Sequence, residues 1–216
     1  DQPLFEAERA WVNPKLKTIL GTGTGYRFRI LAHGGEITGT ADWITTDDQP
    51  LLQVDVQFHG IDLSDMPLTR MISESPLQGL FSGKVSYTNG ASHGRQVIAD
   101  ARIDDLQVTL SRPLMALKQI RIESLRADAI LKNEQLQVRQ IQVSGDQVEG
   151  SLSGTGRIGR SLRDSRLDLE GRLKPQPGIL QETDSDGLGG LLNQLASKGI
   201  PVRISGTLDN LELKTR

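Results

Sequence analysis

Val148-Glu149-Gly150-Ser151-Leu152-Ser153-Gly154 is the stretch on which the fold turns. Apolar or glycine positions alternate with polar ones, the period of a β-strand with one buried face. The same alternation recurs from Arg27 to Ile30, in Gly34-Gly35-Glu36-Ile37-Thr38-Gly39 and in Leu80-Phe81-Ser82-Gly83-Lys84-Val85. It returns from Leu167 to Leu173 and from Val202 to Leu213. Glycines within and after these runs mark turns, bulges or bends. The pattern predicts a mainly β protein built on one large antiparallel sheet, curved or folded over like a half-pipe because wide sheets twist and curl. Two to three short helices complete the expected fold. Such a chain suits a structural or apolar-binding role better than catalysis.

Around this stretch, strands are expected at 7–12, then at 26–32 and 36–44 as a hairpin about His33-Gly34-Gly35. Others are expected at 52–58, and at 79–87 and 96–103 as a hairpin around the polar 89–94 loop. Further strand-like runs lie at 106–110, 119–124, 126–131, 135–143, 147–156 and 165–173. A final strand over 202–213 is expected to bend at Gly206. Asn13 as N-cap and Pro14 at the first helical position predict a short helix over 14–20, closed by Gly21. Leu68, Met71 and Ile72, stopped by Pro76, predict a second helix. Leu188, Leu191, Leu192 and Leu195 at i, i+3, i+4 and i+7, ended by Gly199 and Pro201, predict a third. Pro113 to Lys118 reads as one helical turn. Residues 1–216 read as a single domain whose weakest seam is near 88–96.

Composition narrows the function classes. The 25 basic and 27 acidic residues are interspersed, aromatics are 4%, and no basic stripe carries interleaved aromatics, which argues against a nucleic-acid partner. The absence of cysteine rules out disulfides and thiolate metal sites and permits any compartment. No run approaches the roughly 20 apolar residues of a membrane-spanning helix. The chain begins at Asp1 without Met, which fits a trimmed start from which a signal or membrane anchor has been removed.

Residues able to carry chemistry are present but do not converge. His33, His59 and His93 each precede a glycine, and none has the His-x-His or His-Glu-x-x-His spacing of a metal site, so they read as turn histidines at strand ends. Asp184-Ser185-Asp186-Gly187 has the start of a calcium loop, but Leu195 stands where the bidentate carboxylate belongs, leaving a helix-capping cluster. Asp47-Asp48 and Asp104-Asp105 fall in expected turns. Gly21-Thr22-Gly23-Thr24-Gly25 lacks a following lysine and precedes a strand, so it reads as a connector rather than a phosphate loop. Ser151-Leu152-Ser153-Gly154 lies within a strand pattern, with no nucleophile elbow. Catalytic, cofactor-binding and metal-ligating residues are therefore all read as none, with no cofactor.

The remaining candidates are apolar stripes. Val54, Val56 and Phe58 form one; Leu136, Val138, Ile141 and Val143 form another, with a phase change between 138 and 141 that predicts a bulge. Leu167, Leu169 and Leu173 form a third, interrupted by Gly171. These stripes are either ordinary core or the lining of a groove for acyl chains or partner segments.

Several segments, in order along most of the chain, resemble the periplasmic domain of type II secretion system protein N, in the form related to AsmA-like proteins. They are Ala7-Glu8-Arg9-Ala10-Trp11-Val12-Asn13-Pro14-Lys15-Leu16, Gly34 to Gly39, Ile61 to Pro67, Gly79-Leu80-Phe81-Ser82-Gly83, Asp164 to Gly171 with Pro175 and Pro177, and Ile204-Ser205-Gly206-Thr207-Leu208 with Asp209 to Leu211. The resemblance implies a periplasmic domain tethered to the inner membrane by an N-terminal helix outside this sequence. It implies a non-enzymatic accessory or assembly component of type II protein secretion, with other secretion-system envelope proteins as partners. The AsmA-like connection implies the alternative of a lipid-binding or lipid-transfer module of the cell envelope. It brings no catalytic residues.

Overall fold

The computed structural model describes residues 6–21, 23–46, 49–64, 66, 77–90, 94–114, 117–161, 164–176, 199–208 and 210–215. Among them are twelve strands and one short helix. The elements are β1 (Arg9–Pro14), α1 (Leu16–Ile19), β2 (Thr24–Ala32), β3 (Gly35–Thr46), β4 (Gln49–Asp62) and β5 (Gln78–Gly90). They continue with β6 (Gly94–Leu114), β7 (Leu117–Lys132), β8 (Gln135–Ser144), β9 (Val148–Arg157), β10 (Arg166–Pro175), β11 (Ile200–Thr207) and β12 (Asn210–Thr215). All twelve strands form one curved antiparallel sheet in strict sequence order, with β1 and β12 as its open edges. At about 4.8 Å per strand spacing the sheet is roughly 53 Å wide.

Turn chemistry sets this order. His33 (φ 48°) and Gly34 (φ 70°) are both left-handed, giving a two-residue turn whose twist matches the β2–β3 hairpin. Gln147 is buried, and its side-chain oxygen accepts from the Arg121 amide at 2.8 Å, fixing the β8–β9 turn against β7. Near the expected seam, Gly90 and Gly94 face each other at the end of the β5–β6 pair.

Five sequence expectations are corrected. Pro14 ends β1 opposite Tyr26 rather than opening a helix, and Lys15, not Asn13, is the N-cap of a four-residue α1. An edge strand tolerates the missing proline N–H as well as a helix start does. Asp104-Asp105 is not a turn: the runs at 96–103 and 106–110 are one strand, β6, with Asp105 left-handed (φ 54°) where the β5–β6 register slips. Likewise 119–124 and 126–131 belong to β7 alone, and residues 113–114 and 117–118 are strand ends rather than a helical turn. The run 202–213 is a hairpin, β11 and β12, with Thr207 opposite Asn210. The bulge expected in β8 is present between Val138 and Ile141. The helices expected at 68–76 and 188–195, Asp47-Asp48, Asp184 to Gly187 and His93 lie outside the described residues.

The short helix is fastened by polar contacts. Thr18 Oγ1 donates to the Gly25 carbonyl and accepts from the Gly25 amide, both at 2.7 Å. Lys15 and Lys17 grip opposite oxygens of Asp42 on β3 at 2.5 and 2.6 Å. Hydrogen bonds from Lys15, then Lys17, hold the Asp42 carboxyl below its ordinary value of 3.8. Because the folded value lies below the unfolded one, the stabilisation is complete above the unfolded value and is lost as pH falls through the folded value. Asp42→Asn is therefore expected to cost about 1 kcal/mol at pH 7, with the gap to the parent closing at acid pH, as read by urea unfolding at both.

Candidate functional site

Register decides where the apolar stripes go. In an antiparallel sheet, residues directly opposite one another share a face. Val54, Val56 and Phe58 of β4 face Tyr87, Val85 and Gly83 of β5, which face Val97, Ala99 and Ala101 of β6. These in turn face Leu131, Ala129 and Ala127 of β7, which lead to Leu136, Val138 and Ile141 of β8. From β8 the same face passes through Gly156, Gly154 and Leu152 of β9 to Leu167, Leu169 and Gly171 of β10, with Leu173 beyond. All eight residues singled out from the sequence (Val54, Val56, Phe58, Leu136, Val138, Leu167, Leu169 and Leu173) thus lie on one continuous face. The opposite face carries most of the charges, including the Arg203 fork on Asp168 at 2.7 and 2.6 Å and Ser86 on Asp55 at 2.6 Å.

The face changes character along its width. Over β8 to β11, Val138, Val143, Leu152, Leu169 and Val202 are buried, with Leu136, Ile141, Leu167, Leu173 and Ile204 half-buried around them. The β9–β10 pair meets there through four leucine–glycine steps: Leu173 on Gly150, Leu152 on Gly171, Leu169 on Gly154 and Leu167 on Gly156. A Cβ on Gly171 would strike the Ser151 carbonyl oxygen and come within 2.8 Å of the Leu152 Cα. This half of the sheet is a packed core.

Over β4 to β7 the stretches 52–58, 81–87, 97–103 and 125–131 supply sixteen positions on the same face, and none of them is fully buried. They are apolar throughout apart from the Tyr87 hydroxyl. Ala99 faces Ala129 and Ala101 faces Ala127, so the floor between β6 and β7 is lined by methyl groups and the surface there is recessed. Phe58 and Phe81 meet at one end with ring centres 5.4 Å apart. Arg95 continues this face at the other end, opposite Asn89, and is the charged residue at that rim. The result is an apolar trough whose walls carry large side chains and whose floor carries small ones.

The alanine floor and the Phe81, Val85 and Tyr87 wall had not been singled out from the sequence. The signal that could have found them is their alternation in phase with Val54, Val56 and Phe58. Of the two described histidines, His33 lines a cavity with Glu6, Glu8 and Asp62, and His59 is not part of it. His33 occupies the β2–β3 turn, where its carbonyl accepts from the Asp62 amide at 2.9 Å. His59 sits inside β4 rather than at its end, just before the left-handed Gly60 at φ 61°. The Asp62 carboxyl is held below its ordinary value, first by hydrogen bonds from the backbone and side chain of Ser64. Among the described residues no group of three or more His, Cys, Asp or Glu side chains is placed to hold a metal ion, and no helix is long and apolar enough to cross a membrane. Gly21-Thr22-Gly23-Thr24-Gly25 is split, with Thr24 and Gly25 already in β2.

Among the described residues β1 pairs only with β2, and every residue of the strand is exposed. Trp11 stays 42% exposed on the polar face, with the Arg29 guanidinium 5.8 Å from its ring centre. Compared with known proteins, the chain matches no family model, no curated protein and no solved structure.

Proposed function

We propose that this chain is a non-enzymatic cell-envelope module that holds the apolar chain of a lipid in the β4–β7 trough, in the manner expected of an AsmA-like protein. The observation that carries this reading is the half-buried state of sixteen aligned positions without a single charge among them. Apolar surface of this extent, left partly open between the buried Ile61 and Leu106 and the buried side chains of β8 to β11, is the property of a binding surface. In the bound state the chain lies along the alanine floor and the polar head lies at the Arg95 rim. Periplasmic location and tethering to the inner membrane follow from the resemblance and belong to the same proposal.

Native mass spectrometry of protein purified from a membrane-containing host without detergent tests this reading. Stoichiometric phospholipid or fatty acid is the expected result. Val56→Asn, at a half-buried position, should keep the fold and lose most of the bound lipid. A clean apo mass for the parent protein overturns the lipid reading.

A second reading is supported by the β1 edge. An exposed strand bearing Trp11 and Val12 can accept a strand from another protein. That would suit an accessory component of type II secretion whose partners are other envelope proteins of the machine. Lys in place of Val12 should weaken such pairing while leaving lipid content unchanged.

A further inference from the structure

On the polar face, at the end of the sheet where β9 leads into β10, Arg157 and Arg166 stand directly opposite each other. Like charges in facing positions of an antiparallel pair destabilise it. Arg157 meets Glu134 at 3.1 Å in an exposed pair, which offsets little. Arg166 has no ion-pair partner among the described residues. The register places Thr207 and then Asn210 next in the same row, and Thr155 and Ser205 in the parallel row beyond the Gly156–Leu167–Gly206 step. These side chains line one cavity of about 640 Å³.

Two carboxylates also line it, and both are engaged. Asp168 is held by both arms of Arg203, and Glu212 lies 2.9 Å from Lys214. The surround is built rather than loose. Ser165 is fully buried; its hydroxyl accepts from the Gly159 amide at 3.1 Å and donates to the Ser161 carbonyl at 3.2 Å. Its carbonyl accepts from the Leu208 amide at 2.9 Å, tying the β9–β10 turn to the β11–β12 turn. Two guanidinium forks flanked by hydroxyl and amide donors match the tetrahedral oxygens of a phosphate group.

We propose that Arg157 and Arg166, with Thr207 and Asn210, form a binding site for a phosphate group, either the head of an anionic lipid or a free phosphate. The site stands on the face opposite the trough and does not depend on it. Titration of the whole chain with inorganic phosphate, followed by amide chemical shifts, should give saturable changes around 155–157, 166–168 and 205–212. In the Arg157→Gln/Arg166→Gln double variant the apparent affinity should fall at least tenfold. The same variant should melt no lower than the parent, because a like-charge pair has been removed, so lost binding cannot be ascribed to lost fold. Lys at both positions should recover part of the affinity through charge without the fork.

Flotation with phosphatidylglycerol vesicles, against phosphatidylcholine vesicles, separates the sources. Selective flotation that is lost in the double variant assigns the phosphate to a lipid head. Phosphate binding without flotation assigns it to a soluble phosphate. No shift at millimolar phosphate, or equal binding by parent and double variant, overturns the proposal. Val56→Asn should leave phosphate binding unchanged, so failure of this site and failure of the trough are read separately.

Discussion

Leu169→Asp should leave the chain unable to hold its sheet. Leu169 is 4% exposed, with Gly154 of β9 on one side and Ile204 of β11 on the other. The substitution deletes a buried aliphatic side chain and puts a carboxylate where the facing positions on both neighbouring strands are glycine and isoleucine. Loss of the leucine alone costs about 2–5 kcal/mol, and the unpaired carboxylate adds to that. The total is comparable to the whole stability of a typical domain, about 5–15 kcal/mol. Soluble yield and circular dichroism check the result. A folded Leu169→Asp protein would mean that the β8–β11 half is not a core. The contrast is with Val56→Asn on the open half, where the fold should survive.

Gly171→Val should be nearly as damaging, for a steric reason. The Cβ has no room beside the Ser151 carbonyl, and Leu152 Cδ2 lies 2.9 Å from where it would stand. Relief requires β9 and β10 to separate, which breaks the leucine–glycine steps along the pair. Overpacking of this kind costs about 1–3 kcal/mol for small insertions, and a branched side chain lies at the upper end. At roughly 2–4 °C per kcal/mol for a chain of this size, the melting temperature should drop by about 6–12 °C. Gly34→Val makes a useful comparison, since a Cβ there meets no atom within 4 Å and only the left-handed backbone opposes it. Equal melting of Gly171→Val and the parent would refute the close approach of the two strands.

Strand positions were legible because period-two alternation is local. Sheet order was legible where short turns force neighbouring strands to pair, as at His33-Gly34. What local reading confuses is a break in parity. From Ile103 to Leu106 the apolar set changes parity, which by local pattern alone predicts a turn; the chain continues through a bulge at Asp105 instead. From Val202, Ile204 and Gly206 to Leu211 and Leu213 the parity also changes, and there the chain does turn. The same signal has two physical causes, and pairing with distant strands decides between them. Asn13-Pro14 misled for a related reason, since a proline without an N–H suits both a helix start and an unpaired strand edge. The eight stripe residues were legible as a set because large aliphatic side chains are conspicuous. Ala99, Ala101, Ala127 and Ala129 were not, because alanine has no strong preference for strand or core and its role appears only when two strands bring the methyl groups together.

The strictly sequential strand order bears on how such a molecule forms and varies. Each strand bonds only to those before and after it, so most pairings close over short turns, the connections before β5 and before β11 being the long ones, and folding can spread outward from any hairpin as in a repeat protein. Growth is equally modular. Gain or loss of one hairpin widens or narrows the ribbon by about 9.6 Å without rethreading any other strand. The width of the sheet is therefore a quantity that evolution can adjust in discrete steps, by duplicating or deleting roughly twenty-residue segments, while the chemistry of each step stays the same.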